Sequence, residues 1–230
     1  MSKTKTSQGD VRKKVDTCIR ILEDLYGVPE AEGFDPMDLL VMTILSQNTT
    51  DTNSHRAFAK LKSGYRDYQE LLRAPEKEIA EKIRAGGLAD IKAQRIKSTL
   101  HKINEDRGSI SLSFLADLGK EKAAEYLMSL PGVGLKTASV VLLFAFRMPF
   151  LPVDTHVYRL SRRLGLVPED ASVKRAQEIL EEITPQENYL SLHLNLIRHG
   201  RSICRARNPR HGECALRSLC CFYLRGTSLK

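Results

Sequence analysis

Residues 130–137 read LPGVGLKT: a proline, two glycines two apart, and a lysine just before the apolar run Ala138–Phe146. Apolar residues at helical spacing lie on both sides, so the stretch reads as a tight turn between a helix over about 120–129 and another over about 136–146. Glycines in such a turn let backbone amides face outward at a helix N-terminus, an arrangement that holds phosphate. An ordinary glycine-capped connection between helices accounts for the same residues. Lys136 is out of place in either reading, because a helix N-terminus carries positive partial charge and favours anions. Its position asks for a role beyond helix stability.

The helical period continues in both directions. Val11, Val15, Ile19, Leu22 and Leu25 form one stripe, with Asp10 as the expected N-cap and Gly27 as the end. Asp35 followed by Pro36 is a strong helix start, with proline where its missing N–H costs nothing, and that helix runs through MDLLVMTIL. Further helices are expected at about 51–63, 75–85, 90–105, 154–164, 172–183 and 186–200, separated by turns such as SGYRD, GGLAD, EDRGS and RMPF. No strand alternation, long linker or internal repeat interrupts them. The expected fold is all-α and two-lobed: a helical domain over 28–148, and a second over 1–27 and 149–230 built from the chain ends.

The apolar share of 42% and charged share of 28% are those of a globular chain rather than a disordered one. No apolar run approaches the roughly 20 residues of a membrane span, and the basic N-terminus lacks the apolar segment of a secretory signal. These features place the protein in the cytoplasm, nucleoid-associated in a prokaryote, as a monomer. A net charge of +8 fits either a solvated basic surface or a polyanion partner, and charge alone does not choose between them. Cys18 reads as a small buried apolar residue in its helix. Cys204, Cys214, Cys220 and Cys221 crowd together near the C-terminus, which in a cytosolic chain points to metal more than to disulfides.

Beyond Lys136 comes VDTHVYRLSRRLGL, residues 152–166 less the leading proline. Asp154 stands where it caps the helix opening at Thr155, and a carboxylate held by backbone amides is also suited to stabilising a nearby positive centre. With LPGVGLKTA, this segment resembles the helix-hairpin-helix and catalytic-aspartate segments of the endonuclease III family of DNA glycosylases. ILSQNTTD (44–51), GLADIKA (87–93) and LNLIRHGRSIC (194–204) are similar to that family's lesion-side loop, wedge loop and entry to its iron–sulfur loop. In order and spacing the five segments span about residues 36–221.

The resemblance implies a bifunctional glycosylase and apurinic/apyrimidinic lyase acting on oxidised pyrimidines in double-stranded DNA, with abasic sites as further substrates. Relatives that remove uracil or thymine from mismatches, or adenine opposite oxidised guanine, keep the same fold, and a non-catalytic helix-hairpin-helix DNA-binding protein is the alternative of another class. Lys136 would be the nucleophile that attacks C1′ of a flipped nucleotide, and Asp154 would stabilise the developing positive charge. An attacking amine must be unprotonated, which a helix N-terminus favours. Gly132, Val133 and Gly134 would meet a phosphate. Gln47 or Asn48, with Asn48 favoured, would fill the hole left by the extruded base, and Leu88 would wedge into the stack. From the residues alone, Gln47 and Asn48 are equally loop polars and Leu88 equally core.

The C-terminal loop, 204–221, departs from the family pattern C-x6-C-x2-C-x5-C, because His211 stands where the second cysteine belongs. The resemblance implies a [4Fe–4S] cluster held by Cys204, His211, Cys214 and Cys220; zinc on the same residues, Cys221 in place of His211, or no metal are the alternatives. Arg205, Arg207 and Arg210 make the loop basic, and phosphate contact is expected of them.

Overall fold

The computed structural model describes residues 8–30 and 33–227. In chain order the helices are α1 (Gln8–Tyr26), α2 (Pro36–Leu45), α3 (Asp51–Gly64), α4 (Tyr68–Arg73), α5 (Glu76–Ile83) and α6 (Ala89–Arg107). Then follow α7 (Lys120–Ser129), α8 (Leu135–Phe146), α9 (Thr155–Leu164), α10 (Val173–Ile183), α11 (Tyr189–Ser202) and α12 (Cys221–Thr227), with short 3₁₀ turns between some of them. No strand occurs among the described residues. The chain divides into two compact units, one of Met1–Ala31 with Pro149–Lys230, the other Glu32–Met148.

In the unit over Glu32–Met148, α2 packs on α8, α3 on α5, α5 on α6, and α7 on α8. Asp35 caps α2 by accepting from the Asp38 amide at 2.8 Å, with Pro36 in the first turn. α8 is buried at every position from Thr137 to Leu143, as an apolar helix without a polar face must be. Leu40, Ile44, Leu45, Ile83, Ile96 and Leu100 of this unit are closed to solvent, as is Val141 of α8, each contributing about 1.5–3 kcal/mol by burial.

In the other unit, α1 packs on α10 and α11, and α11 on α9. Val15, Cys18, Ile19 and Leu22 are buried as the stripe requires, and Cys18 is apolar core. Leu25 leaves the stripe and is exposed, and Asp10 is not the N-cap: α1 already includes Gln8 and Gly9, so Asp10 sits in its first turn, where its charge still suits the helix. α4 follows the SGYRD turn, in residues to which the sequence reading assigns no helix; Asp67, the last residue of that turn, accepts from the Glu70 amide at 2.8 Å and starts the helix.

Candidate active site

The turn between α7 and α8 closes on itself. Val133 donates its N–H to Leu130 O at 3.1 Å and buries its side chain, so its amide is spent inside the turn, while Gly132 and Gly134 are exposed. Gly132 has φ +76°, which favours glycine, and its bare Cα lets the Arg95 side chain lie close, at 3.0 Å from where a Cβ would stand. Gly134 is the N-cap of α8 and offers it no side chain, and no acidic residue occupies the first turn. The positive end of a buried helix thus reaches the surface without a carboxylate of its own, and half-buried Lys136 is its second residue.

Two loops of the same unit stand beside this hairpin. Gln47 donates Nε2–H to Gly132 O at 3.3 Å and accepts from Arg95 Nη1 at 2.9 Å, so it is tied to the hairpin rather than presented to solvent. Asn48, next to it, is exposed with φ +54°, a conformation that asparagine tolerates. Leu88 is not core: it is 52% exposed, in the left-handed region at φ 52°, ψ 41°, where a leucine costs about 1–2 kcal/mol. Behind these loops Lys92 is buried, donating Nζ–H to Leu45 O at 2.7 Å and Gly86 O at 2.8 Å. Burial, and secondarily the charge of Arg95, hold its pKa below the usual lysine range. A surface hollow with about 1000 Å³ of atom-free space between Asp35–Asp38 and Ser109–Ser113 contains none of the catalytic, DNA-binding or metal-ligand candidates read from the sequence.

In the unit of the chain ends, Asp154 caps α9, its Oδ1 accepting from the His156 and Val157 amides at 2.8 Å each. The approach to it is pinned from two sides. Buried His193 donates Nδ1–H to Pro152 O at 2.8 Å, and the Leu151 amide donates to Glu181 Oε1 at 2.9 Å. Burial keeps the His156 imidazole below its ordinary pKa, and its Nδ1 lies 3.1 Å from Arg159 Nη2. Arg159 also donates to Gly200 O and Cys204 O, and Arg163, one turn on, donates to Cys204 Sγ at 3.3 Å and Arg205 O at 2.8 Å. The helix that Asp154 caps therefore braces the cysteine loop.

That loop encloses a recess with about 280 Å³ of atom-free space, whose lining includes Cys204, His211, Cys214 and Cys220. Cys221 is not part of the lining; its Sγ faces Leu164 O and Lys14 Nζ, each at 3.4 Å. All five cysteines are free thiols. Among the described residues no three His, Cys, Asp or Glu side chains converge as one metal ion requires, whereas zinc draws its ligands to about 2.0–2.3 Å from a single point. Burial raises the Cys214 thiol pKa, and His199 Nε2 lies 3.3 Å from its Sγ. Tyr26 OH lies 3.0 Å from the other nitrogen of that buried ring. Arg205 and Arg207 are exposed, whereas Arg210 pairs with Glu213 within the loop. Lys92, Arg95, Arg159, Arg163 and His199 were not singled out from the sequence; a polar side chain on a helix reads there as solvent-facing.

Fold and hairpin together define a class of helical proteins that handle damaged DNA: residues 41–186 match the family model of the HhH-GPD superfamily base excision DNA repair proteins. The chain belongs to that superfamily and, within it, to the endonuclease III family. It is 37% identical over 191 residues to endonuclease III of Thermotoga maritima, covering 83% of this chain and 85% of that one. A candidate DNA glycosylase of Arabidopsis thaliana is 40% identical over 175 residues, 76% of this chain, and the chain spans 59% of that relative's length. The structure of a trapped endonuclease III–DNA covalent intermediate, an estranged-adenine complex, superposes with TM-score 0.81 at 30% identity, covering 94% of this chain and 98% of the other. No helix among the described residues is long and apolar enough to cross a membrane.

Proposed function

We propose that this protein, a DNA glycosylase of base excision repair, removes oxidised pyrimidines from duplex DNA and then cleaves the strand as a lyase. The observation that carries the reading is the amine of Lys136 at the second position of an α8 N-terminus that has neither a capping side chain nor an acidic first turn. Such a terminus receives the phosphate of a substrate and disfavours an ammonium. The Lys136 Nζ lone pair forms a bond to C1′ as the C1′–N bond breaks; the base leaves with that electron pair and takes a proton. The sugar ring then opens as C1′–O4′ breaks and O4′ is protonated, leaving an iminium between C1′ and Lys136. Loss of a C2′ proton expels the 3′ phosphate by β-elimination, and water hydrolyses the iminium to restore the amine. Asp154, fixed by two amides, supports the positive charge at C1′ and assists the proton transfers.

Leu88 and Asn48 hold left-handed backbone at exposed positions, the kind of local strain found where a loop must present a side chain to a partner. We assign Leu88 to the wedge and Asn48 to the vacated base position, since Gln47 is occupied by the hairpin. The test is a panel of duplexes, each with one lesion, incubated with the protein and trapped by borohydride. Covalent complexes with oxidised pyrimidines are expected; their absence, with complexes at mismatched uracil or thymine instead, would move the protein to the mismatch branch of its fold.

Three cysteines and one histidine line the same recess, and Arg163 and Arg217 in the lining suit an anionic group. Cys204, His211, Cys214 and Cys220 would hold a [4Fe–4S] cluster. When bound, it would supply a redox-active cross-link closing the loop. The purified protein is expected to absorb broadly near 400 nm, as iron–sulfur thiolates do. His211→Ala should lose most of that absorbance and Cys221→Ala should keep it, because only His211 lines the recess. The reverse ranking would make Cys221 the fourth ligand.

A further inference from the structure

Lys92, Arg95 and Thr99 occupy positions i, i+3 and i+7 of α6, which places them on one face of the helix. Each is hydrogen-bonded to a different part of the surface described above. Lys92 joins the end of α2, at Leu45 O, to the turn before Leu88, at Gly86 O. Gly86 also packs closely on α3, where a Cβ would meet Ala57 Cβ at 3.2 Å. Arg95 holds Gln47 Oε1 and packs along Gly132. Thr99, fully buried, donates Oγ1–H to Pro131 O at 2.9 Å. The loop carrying Asn48, the loop carrying Leu88 and the hairpin before Lys136 thus share one anchor, and two of the three are joined to it across long stretches of chain: Gln47 and Arg95 are 48 residues apart, and Thr99 and Pro131 are 32 apart.

We infer that this stripe on α6 is the positioning element for base extrusion, and that Arg95 is its specific positioning residue. The inference rests on the glycosylase reading. Extrusion needs a wedge, a plug and a phosphate grip to act at a fixed spacing on one duplex. A rigid helix that fixes all three sets this spacing better than three independent loops, since an error of about 1 Å in placement is enough to cost a large factor in rate. Lys92 and Thr99 are buried and set the backbones. Arg95 is exposed and bonds through Gln47, so it is the member whose loss leaves the core intact.

The test compares single-turnover base release from two duplexes, one with thymine glycol opposite adenine and one with the same lesion opposite a tetrahydrofuran abasic analogue. Wild type, Arg95→Met and Arg95→Lys are each measured at saturating protein, with thermal unfolding as the check on folding. Arg95→Met is expected to slow release from the paired duplex about tenfold or more, because extrusion then proceeds on misplaced loops. On the unpaired lesion, where little pairing remains to be broken, the loss should be less than about threefold. Arg95→Lys should restore part of the difference by keeping one donor. Equal losses on the two duplexes, or no loss on either, would overturn the inference, as a merely structural residue would slow both alike. If Arg95→Met unfolds, Gln47→Ala, which removes the bond from its other end, is to show the same split between duplexes, and its failure to do so counts equally against the stripe. Release of no base by wild type from either duplex would overturn the oxidised-pyrimidine reading on wild-type data alone, and the stripe is then judged by the same split on the lesion that the duplex panel identifies.

Discussion

Lys136→Gln is expected to abolish borohydride trapping and strand cleavage, by on the order of 10⁴-fold or more, the scale on which loss of a nucleophile is felt. Glutamine matches lysine in helix propensity, and the side chain is only half-buried at the second position of α8, so stability should stay within about 0.5 kcal/mol. DNA affinity should fall only modestly, because the hairpin amides and the helix end remain. Trapping at the wild-type rate would place the nucleophile elsewhere.

Asp154→Asn separates the observed cap from the electrostatic role proposed for the same carboxylate. As an N-cap, asparagine serves about as well as aspartate, and its amide oxygen can accept from the His156 and Val157 amides as Oδ1 does now. The urea midpoint should therefore barely move. Base release should slow by about 10²–10⁴-fold, because the charge facing the sugar and its capacity for proton transfer are gone. Asp154→Ala should add a stability loss of about 1 kcal/mol from the missing cap. An Asn variant that unfolds would contradict the capping account; one that releases base normally would contradict the electrostatic one.

What could be read in advance depended on whether a residue's role was local. Asp35–Pro36, Asp154 before Thr155, and the glycines of LPGVG each act within a few residues of their own position, and the helix starts and turn that they specify are present. α4 was missed because a helix of six residues is too short for a period, leaving only Asp67 to announce it. Asp10 misled because an acidic residue suits both an N-cap and a first turn. Lys92 and Arg95 were illegible for a different reason. Lysine is almost never fully buried without partners, and its partners here are carbonyls contributed by Leu45 and Gly86 through tertiary packing alone. His199 likewise gains its meaning from Tyr26 and Cys214, which no spacing in the sequence brings beside it. His211 already held the family spacing with Cys221 as its alternative, and the Cys221 thiol, turned toward Leu164, adds a preference for His211 that no spacing could supply.

The unit built from both chain ends has a consequence for the order in which the molecule assembles. α1 buries Val15, Cys18, Ile19 and Leu22 against helices that include α10 and α11, which are translated far later. At 5–20 residues per second, this apolar stripe waits on the order of ten seconds or more after leaving the ribosome before α11 exists. Meanwhile Glu32–Met148, a contiguous compact unit, has been synthesised in full. During synthesis the nascent chain is therefore half finished in a literal sense: a closed body trails an open, sticky helix. That helix is where a holdase would bind, and where crowding of polysomes would first cause aggregation.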